Sequence, residues 1–86
     1  MFEFDVNKSK SNLVKHRIDF ETAGRLWADS QRIEIPARTV DEPRFMLIAK
    51  LNNKVWSAIF THLEEKIRII SVRRARKNEE EIYYSI

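Results

Sequence analysis

Two acid-free basic segments are the part of this sequence that could carry chemistry. One lies near the C-terminus, where the stretch from Lys66 to Lys77, KIRIISVRRARK, contains six lysines and arginines and no acid. The other is NKSKSNLVKHR, residues 7–17, which contains His16. Like charges repel, and either water or a bound anion must offset that cost. The segments therefore suggest a polyanionic partner, although a solvated surface is the commoner origin of a charge run.

The residue types in these segments fit one reaction, the cleavage of RNA by its own 2′-hydroxyl. That reaction needs groups that move protons and cations that bind the phosphate as charge builds on it. His16 can move a proton near neutral pH. Arg73 and Arg74 carry guanidinium groups, whose donors match phosphate oxygens. The reaction needs no metal, and His16 and His62 are far apart in a sequence without cysteine, so we expect no metal site and no cofactor.

The first basic segment is predicted to present a polar stripe on a helix. Lys8, Asn12 and Lys15 lie at helical spacing, which places them on one face, where they could contact RNA. His16 falls at the end of the same helix. The structural alternative is that Lys15, His16 and Arg17 stabilise the negative end of the helix dipole.

The second basic segment leaves the last predicted strand. Alternation along a strand puts Arg73 on the face of Ile69 and Arg74 on the opposite face. Tyr83 lies one helical turn after Glu79 on the final helix, and core packing is as good an explanation for it as a place in the site. The structural alternative for both arginines is a solvated strand end.

Composition indicates one small folded domain, residues 1–86. Charged residues make up 34% of the chain and hydrophobic residues 43%, which argues against disorder. No stretch reaches the length of a membrane span, and no signal peptide is apparent. The net charge is only +3, so the clustering of the cations is more informative than their excess.

Capping residues predict where the helices begin. Asp5 is a candidate N-cap for a helix over residues 6–16, and Asp19 for a second one. Behind Asp19, Phe20 and Trp27 lie seven residues apart, on one apolar face. The last helix is predicted over residues 76–84.

Alternating and continuous apolar runs predict the strands. A short strand opens the chain in FEFD, and four more follow in QRIEIP, RFMLIAKL, KVWSAIFT and IRIISV. Asn52 and Asn53 form a tight hairpin turn between the third and fourth, because asparagine tolerates positive φ. The short connections predict an α+β fold: a short N-terminal strand, two helices, a four-stranded antiparallel meander and a C-terminal helix. We expect eight residues to be mostly buried in one core: Phe20, Trp27, Phe45, Leu47, Trp56, Ile59, Ile67 and Ile69.

Several motifs in a fixed order resemble the BrnT-type toxins of bacterial toxin–antitoxin pairs. FEFDVNKSKSNLVKHRIDFETA is similar to the family's F-E-[WF]-D, then K, N, K-H and S/D-F-E-x-A. EPRFMLIAK is similar to E-x-R-F-x-x-I-G. IFT, IRIISVRRA, Glu79 and Tyr83 are similar to R-I-I-S-A-R-x-A…E…Y. The likeness covers nearly the whole chain.

The resemblance implies a RelE-like fold and a metal-independent endoribonuclease that inhibits translation in the cytoplasm. It also implies a cognate antitoxin with a DNA-binding domain, which neutralises the toxin and contacts operator DNA within their complex. No membrane partner is implied. The catalytic residues would be His16, Arg73, Arg74 and Tyr83. The RNA-binding residues would be Lys8, Asn12, Lys15, Arg44, Arg68 and Arg76.

Four departures from the family pattern stand out. Arg17-Ile18 replaces Gly-Val, from which we expect a turn without positive φ. Ala49 replaces a strand glycine, and Val72 replaces an alanine. Arg76 replaces a threonine or serine that would cap the last helix. The alternative function is a degenerate toxin, a non-catalytic module that binds nucleic acid or its partner through the same basic surface.

Overall fold

The computed structural model describes residues 1–38 and 42–85. Its helices are α1 (Val6–His16), α2 (Phe20–Ala23), a 3₁₀ helix (Gly24–Ala28) and α3 (Lys77–Tyr84). Its strands are β1 (Phe2–Glu3), β2 (Ile33–Ala37), β3 (Arg44–Leu51), β4 (Lys54–Leu63) and β5 (Lys66–Arg74). The predicted α+β class and the predicted order of elements are confirmed.

The five strands form one mixed sheet in the order β1-β5-β4-β3-β2. Strands β2 to β5 form the predicted antiparallel meander. The expected four-stranded sheet is wrong in one respect, because β1 adds a fifth strand parallel to β5. The backbone N–H of Ile67 donates to the Met1 carbonyl at 2.9 Å, so the start of the chain pairs with the outer edge of β5.

The predicted caps begin the first two helices. The Asp5 carboxylate accepts the N–H of Lys8 at 3.0 Å, and the Asp19 carboxylate accepts the N–H of Thr22 at 2.8 Å. Helix α1 has the predicted bounds. The second helix is shorter than its apolar spacing suggests, since α2 passes into the 3₁₀ helix at Gly24.

Arg17 ends α1 in the left-handed conformation, with φ 66°. The expectation of a turn without positive φ is therefore wrong. The N–H of Arg17 donates to the Leu13 carbonyl at 2.9 Å, which is the bond of a left-handed helix cap. Glycine adopts this conformation freely, whereas a residue with a Cβ pays about 1 kcal/mol or more.

The core lies on both faces of the sheet. On one face Ile18, α2 and the 3₁₀ helix cover the larger cluster, which includes Phe20, Leu47, Trp56 and Ile69. On the other face α3 covers a smaller one of Ile48, Val55 and Tyr83. Four of the eight predicted core residues are thus buried. The other four are half-buried: Trp27, Phe45, Ile59 and Ile67.

A β-bulge in β5 changes which side chains share a face. Ser71 pairs with Ile59 of β4 and Ile69 pairs with Phe60, so Ile70 is an extra residue. The extra residue moves each later side chain of β5 to the face opposite to the one that simple alternation predicts. The predicted shared face of Arg73 and Ile69 is therefore wrong, and Ile69 lies in the larger core cluster while Arg73 projects toward α3.

Candidate active site

The two arginines at the end of β5 diverge to opposite faces of the sheet. The Arg73 guanidinium contacts α3, where it binds the Glu79 carboxylate. The Arg74 guanidinium lies over the Trp56 ring, 5.5 Å from its centroid, on the face covered by α2 and the 3₁₀ helix. The strand end therefore presents a cation on each side.

Arg73 and Glu79 form a bidentate ion pair. Arg73 Nη1 and Nη2 donate to the two carboxylate oxygens of Glu79, each at 2.8 Å. Ser57 Oγ and the N–H of Arg76 also donate to Glu79 Oε1, both at 2.8 Å. The hydrogen bonds from Arg73 are the largest cause that lowers the pKa of Glu79, from 4.5 to about 2. Glu79 in turn raises the pKa of Arg73.

Within residues 1–38 and 42–85, two N–H donors of Arg73 have no protein partner. Its Nη1 atom donates to Glu79 and also to the Arg74 carbonyl, at 3.2 Å. A guanidinium has five N–H groups. Three are used, so Nε–H and one N–H of Nη2 remain, and these form the side-on fork that matches two phosphate oxygens. The side chain is 27% exposed.

Asn12 attaches α1 to the outer edge of β5, beyond the part of that edge that pairs with β1. Its amide nitrogen donates to the carbonyls of Ile18 and Val72 at 2.8 and 2.9 Å, and its oxygen accepts the N–H of Val72 at 3.2 Å. The residue is 7% exposed, so every polar group of its side chain serves the fold. The structure gives Asn12 a structural role, and it has no exposed group for the predicted RNA contact.

Helix α1 and strand β5 advance in the same direction. Lys8 borders the same groove as Ile70, and Asn12 bonds Val72 four residues later. Four helical residues span about 6 Å, as do two strand residues. His16, one turn after Asn12, is therefore level with Arg74. His16 is half-buried, and its imidazole makes no hydrogen bond within the described residues.

Tyr83 is engaged on the α3 face. Its hydroxyl donates to the Asp29 carboxylate at 2.6 Å, and Asp29 also accepts the N–H groups of Lys50 and Gln31. Burial and the contact with Asp29 raise the pKa of Tyr83 to about 12. Burial alone would raise the pKa of Asp29, but these hydrogen bonds lower it below its usual value. The contact anchors α3 to the loop before β2.

A comparison with protein families decides the class of this chain. The profile described as ribonuclease toxin, BrnT, of type II toxin–antitoxin system matches residues 4–79. The chain belongs to the BrnT family of ribonuclease toxins. A search of curated proteins finds no match. Membership makes RNA its substrate and a cognate antitoxin its partner, and it confirms the predicted resemblance.

The remaining predicted RNA-binding residues of this BrnT toxin are dispersed. Lys8 and Lys15 are exposed on α1. Arg76 is exposed at the start of α3, where its N–H bonds Glu79. Arg44 and Arg68 lie at the other end of the sheet from Arg74, since Phe45 of β3 pairs with Phe60 of β4, which in turn pairs with Ile69. Arg68 is already paired with Glu3 at 2.6 Å.

The structure thus separates the predicted catalytic residues. Arg73 and Tyr83 lie on the α3 face, Arg74 lies on the opposite face over Trp56, and His16 ends α1 about level with Arg74. Sequence reasoning missed Ser57, Asp29 and the direct contact between Glu79 and Arg73. One signal was available: Glu79 lies three residues after the N-cap Arg76, the position of the carboxylate in a capping box. An arginine has no acceptor, so only the carboxylate half of the box forms.

Two further features bear on this BrnT toxin. Within residues 1–38 and 42–85, no three His, Cys, Asp or Glu side chains are grouped as ligands for a metal ion. In the same residues no helix is both long and apolar enough to cross a membrane. The independence from metal stays a prediction.

Proposed function

We propose that the chain is a metal-independent endoribonuclease whose cleavage of RNA inhibits translation in the cytoplasm. The observation that carries this proposal is the end of β5, where within the described residues Arg73 keeps two N–H donors without a partner and Arg74 is about level with His16, whose imidazole forms no hydrogen bond. A phosphate backbone that crosses this strand end meets a cation on either side. The sheet with its packed helices is consistent with a RelE-like fold, which we include in the proposal.

The proposed step uses groups of the RNA and of the chain together with solvent water. The 2′-oxygen attacks the adjacent phosphorus, the bond to the leaving 5′-oxygen breaks, and a 2′,3′-cyclic phosphate forms. His16 either takes the proton of the 2′-hydroxyl or gives a proton to the leaving 5′-oxygen, and water completes the other transfer. Arg74 and the free fork of Arg73 bind the phosphate oxygens as charge builds on them. Tyr83 acts through the position of α3, because its hydroxyl is held by Asp29.

Variants at the strand end test this proposal. His16→Ala and Arg74→Ala should each lower the rate of RNA cleavage by about 10²–10³. Arg73→Ala would leave the buried Glu79 carboxylate unpaired, so Arg73→Lys, which keeps the charge, is the sharper variant. Lys66→Gln, at the other end of β5, is the control. Full cleavage by the His16 and Arg74 variants would refute the assignment.

A second candidate, the non-catalytic module, is favoured by one observation: the Arg73 charge is already neutralised by Glu79. Incubation of the purified chain with RNA in EDTA separates the two. Cleavage to cyclic phosphate ends supports the enzyme. Salt-sensitive binding without cleavage supports the module.

The antitoxin is proposed to carry a DNA-binding domain and to cover the Arg73 and Arg74 end of the sheet. Operator DNA would then be contacted by the complex. A stable interface of this kind buries about 1,600 Å² or more in total. Protection of residues 72–77 from hydrogen exchange in the complex would support this location, and unchanged exchange there would contradict it.

A further inference from the structure

We infer that a pocket between Arg17, Lys54 and Trp56 binds one nucleotide of the RNA substrate, with the two cations on its phosphate. The inference rests on the proposed ribonuclease function and names a subsite for it. The pocket lies where the turn after α1 meets the hairpin between β3 and β4. Its volume is about 230 Å³, enough for a phosphate group with part of its sugar.

The lining of this pocket has the chemistry of a nucleotide site. Arg17 and Lys54 supply cations, Thr22 and Asn52 supply polar side chains, and Trp56 supplies an aromatic wall. No carboxylate is among the described residues that line it. Such a lining favours an anion that also has polar hydroxyl groups, as a ribose phosphate does.

Charge accumulates here without an acidic partner. Arg74 does not line the pocket, but it lies over the Trp56 ring and adds a third cation next to that wall. None of Arg17, Lys54 and Arg74 forms an ion pair with a carboxylate in residues 1–38 and 42–85, whereas Arg68 and Arg73 each have one. Three unpaired cations around one ring repel each other, and an RNA phosphate would remove that cost.

Arginine is also an unfavourable residue type for the backbone conformation at position 17. Its φ of 66° is a conformation that glycine adopts without strain. Folding alone therefore favours glycine at this position, and the side chain needs another reason to be there. A strained backbone next to a site is a recognised pointer to function when the outlier is observed first.

The position of the pocket agrees with the proposed reaction. Arg17 directly follows His16 in the chain, and Arg74 contacts Trp56, which lines the pocket. A nucleotide bound here would therefore be a neighbour of the scissile phosphate. Its binding would orient the RNA across the end of β5.

The test measures binding of a short single-stranded 2′-O-methyl RNA, which cannot be cleaved by its own 2′-hydroxyl. The affinities of the full wild-type chain, Arg17→Gln and Lys54→Gln are measured over a range of salt concentrations. Each variant should reduce the slope of log affinity against log salt by about 0.7, the loss of one phosphate contact on a single strand. Lys66→Gln removes the same charge at the far end of β5 and should leave the slope unchanged.

Arg17→Gly separates function from fold. We expect its midpoint of thermal unfolding to rise by about 5 °C, because strain is relieved, while RNA affinity falls as in Arg17→Gln. If the Arg17 side chain served only the fold, Arg17→Gly would not combine higher thermal stability with lower RNA affinity.

Three results would overturn the inference. Equal slopes for wild type, Arg17→Gln and Lys54→Gln would refute the proposed subsite without contradicting the proposed ribonuclease function. Weaker binding of the antitoxin with unchanged RNA binding would assign the pocket to the antitoxin. No RNA binding by the wild-type chain would overturn both the subsite and the proposed function.

Discussion

The Arg73–Glu79 pair gives the most quantitative prediction, the effect of Glu79→Gln on stability. Glu79 is 6% exposed and receives hydrogen bonds from Arg73, Ser57 and the backbone of Arg76. Glutamine keeps the size of the side chain and one acceptor oxygen. The substitution therefore removes the charge with little change in packing.

The magnitude follows from the pKa of Glu79. The difference between its usual value of 4.5 and its folded value of about 2 corresponds to about 3 kcal/mol of stability at neutral pH. The pKa is depressed in the folded state, so this contribution is present above about pH 4.5 and is lost as the pH falls toward 2. At about pH 3, roughly 1–1.5 kcal/mol of it remains.

Urea unfolding followed by tryptophan fluorescence measures the difference between wild type and Glu79→Gln. We expect a loss of about 2–3 kcal/mol at pH 7, which shrinks to about 1 kcal/mol near pH 3. Glu81→Gln, an exposed position on the same helix, should change stability by less than about 0.5 kcal/mol at both pH values. A loss that stayed constant with pH would refute the electrostatic explanation.

Three further predictions concern single contacts. Asn12→Ala leaves three backbone groups unpaired and should cost about 2–5 kcal/mol in urea unfolding, whereas Asn7→Ala, exposed on the same helix, should cost little. Tyr83→Phe removes the hydrogen bond to Asp29 and should cost about 1.5–2 kcal/mol, with Tyr84→Phe as the exposed control. RNA cleavage should proceed unchanged in EDTA; loss of cleavage in EDTA and its restoration by Mg²⁺ or Mn²⁺ would contradict the metal-independent mechanism.

Local signals predicted the elements of this fold well, because short-range physics decides them. Asp5 and Asp19 cap the helices as expected. Asn52 and Asn53 both have positive φ, 54° and 65°, as the tight hairpin requires. Each feature depends on a few neighbouring residues, so the sequence shows it directly.

The features that the sequence did not reveal depend on partners far along the chain. The pairing of β1 with β5 joins Phe2 to Ile67, and no local pattern encodes it. The bulge at Ile70 comes from the pairing with β4 and reverses the face of Arg73. Because of this one extra residue, Arg73 and Arg74 each lie on the face of the sheet opposite to the one that alternation predicts.

The basic cluster of β5 is therefore less uniform than its composition suggests. Arg68 is neutralised by Glu3 from the start of the chain, and Arg73 by Glu79 from the last helix. Arg74 has no such partner in the part of the chain that the structure describes. It lies over Trp56, which lines a pocket together with Arg17 and Lys54, two cations that are also unpaired there. Since a paired cation gains less from a phosphate than an unpaired one, RNA affinity should depend most on the Trp56 side of the strand end. On the other side of the strand end, the ion pair with Glu79 fixes the direction in which the remaining N–H donors of Arg73 point.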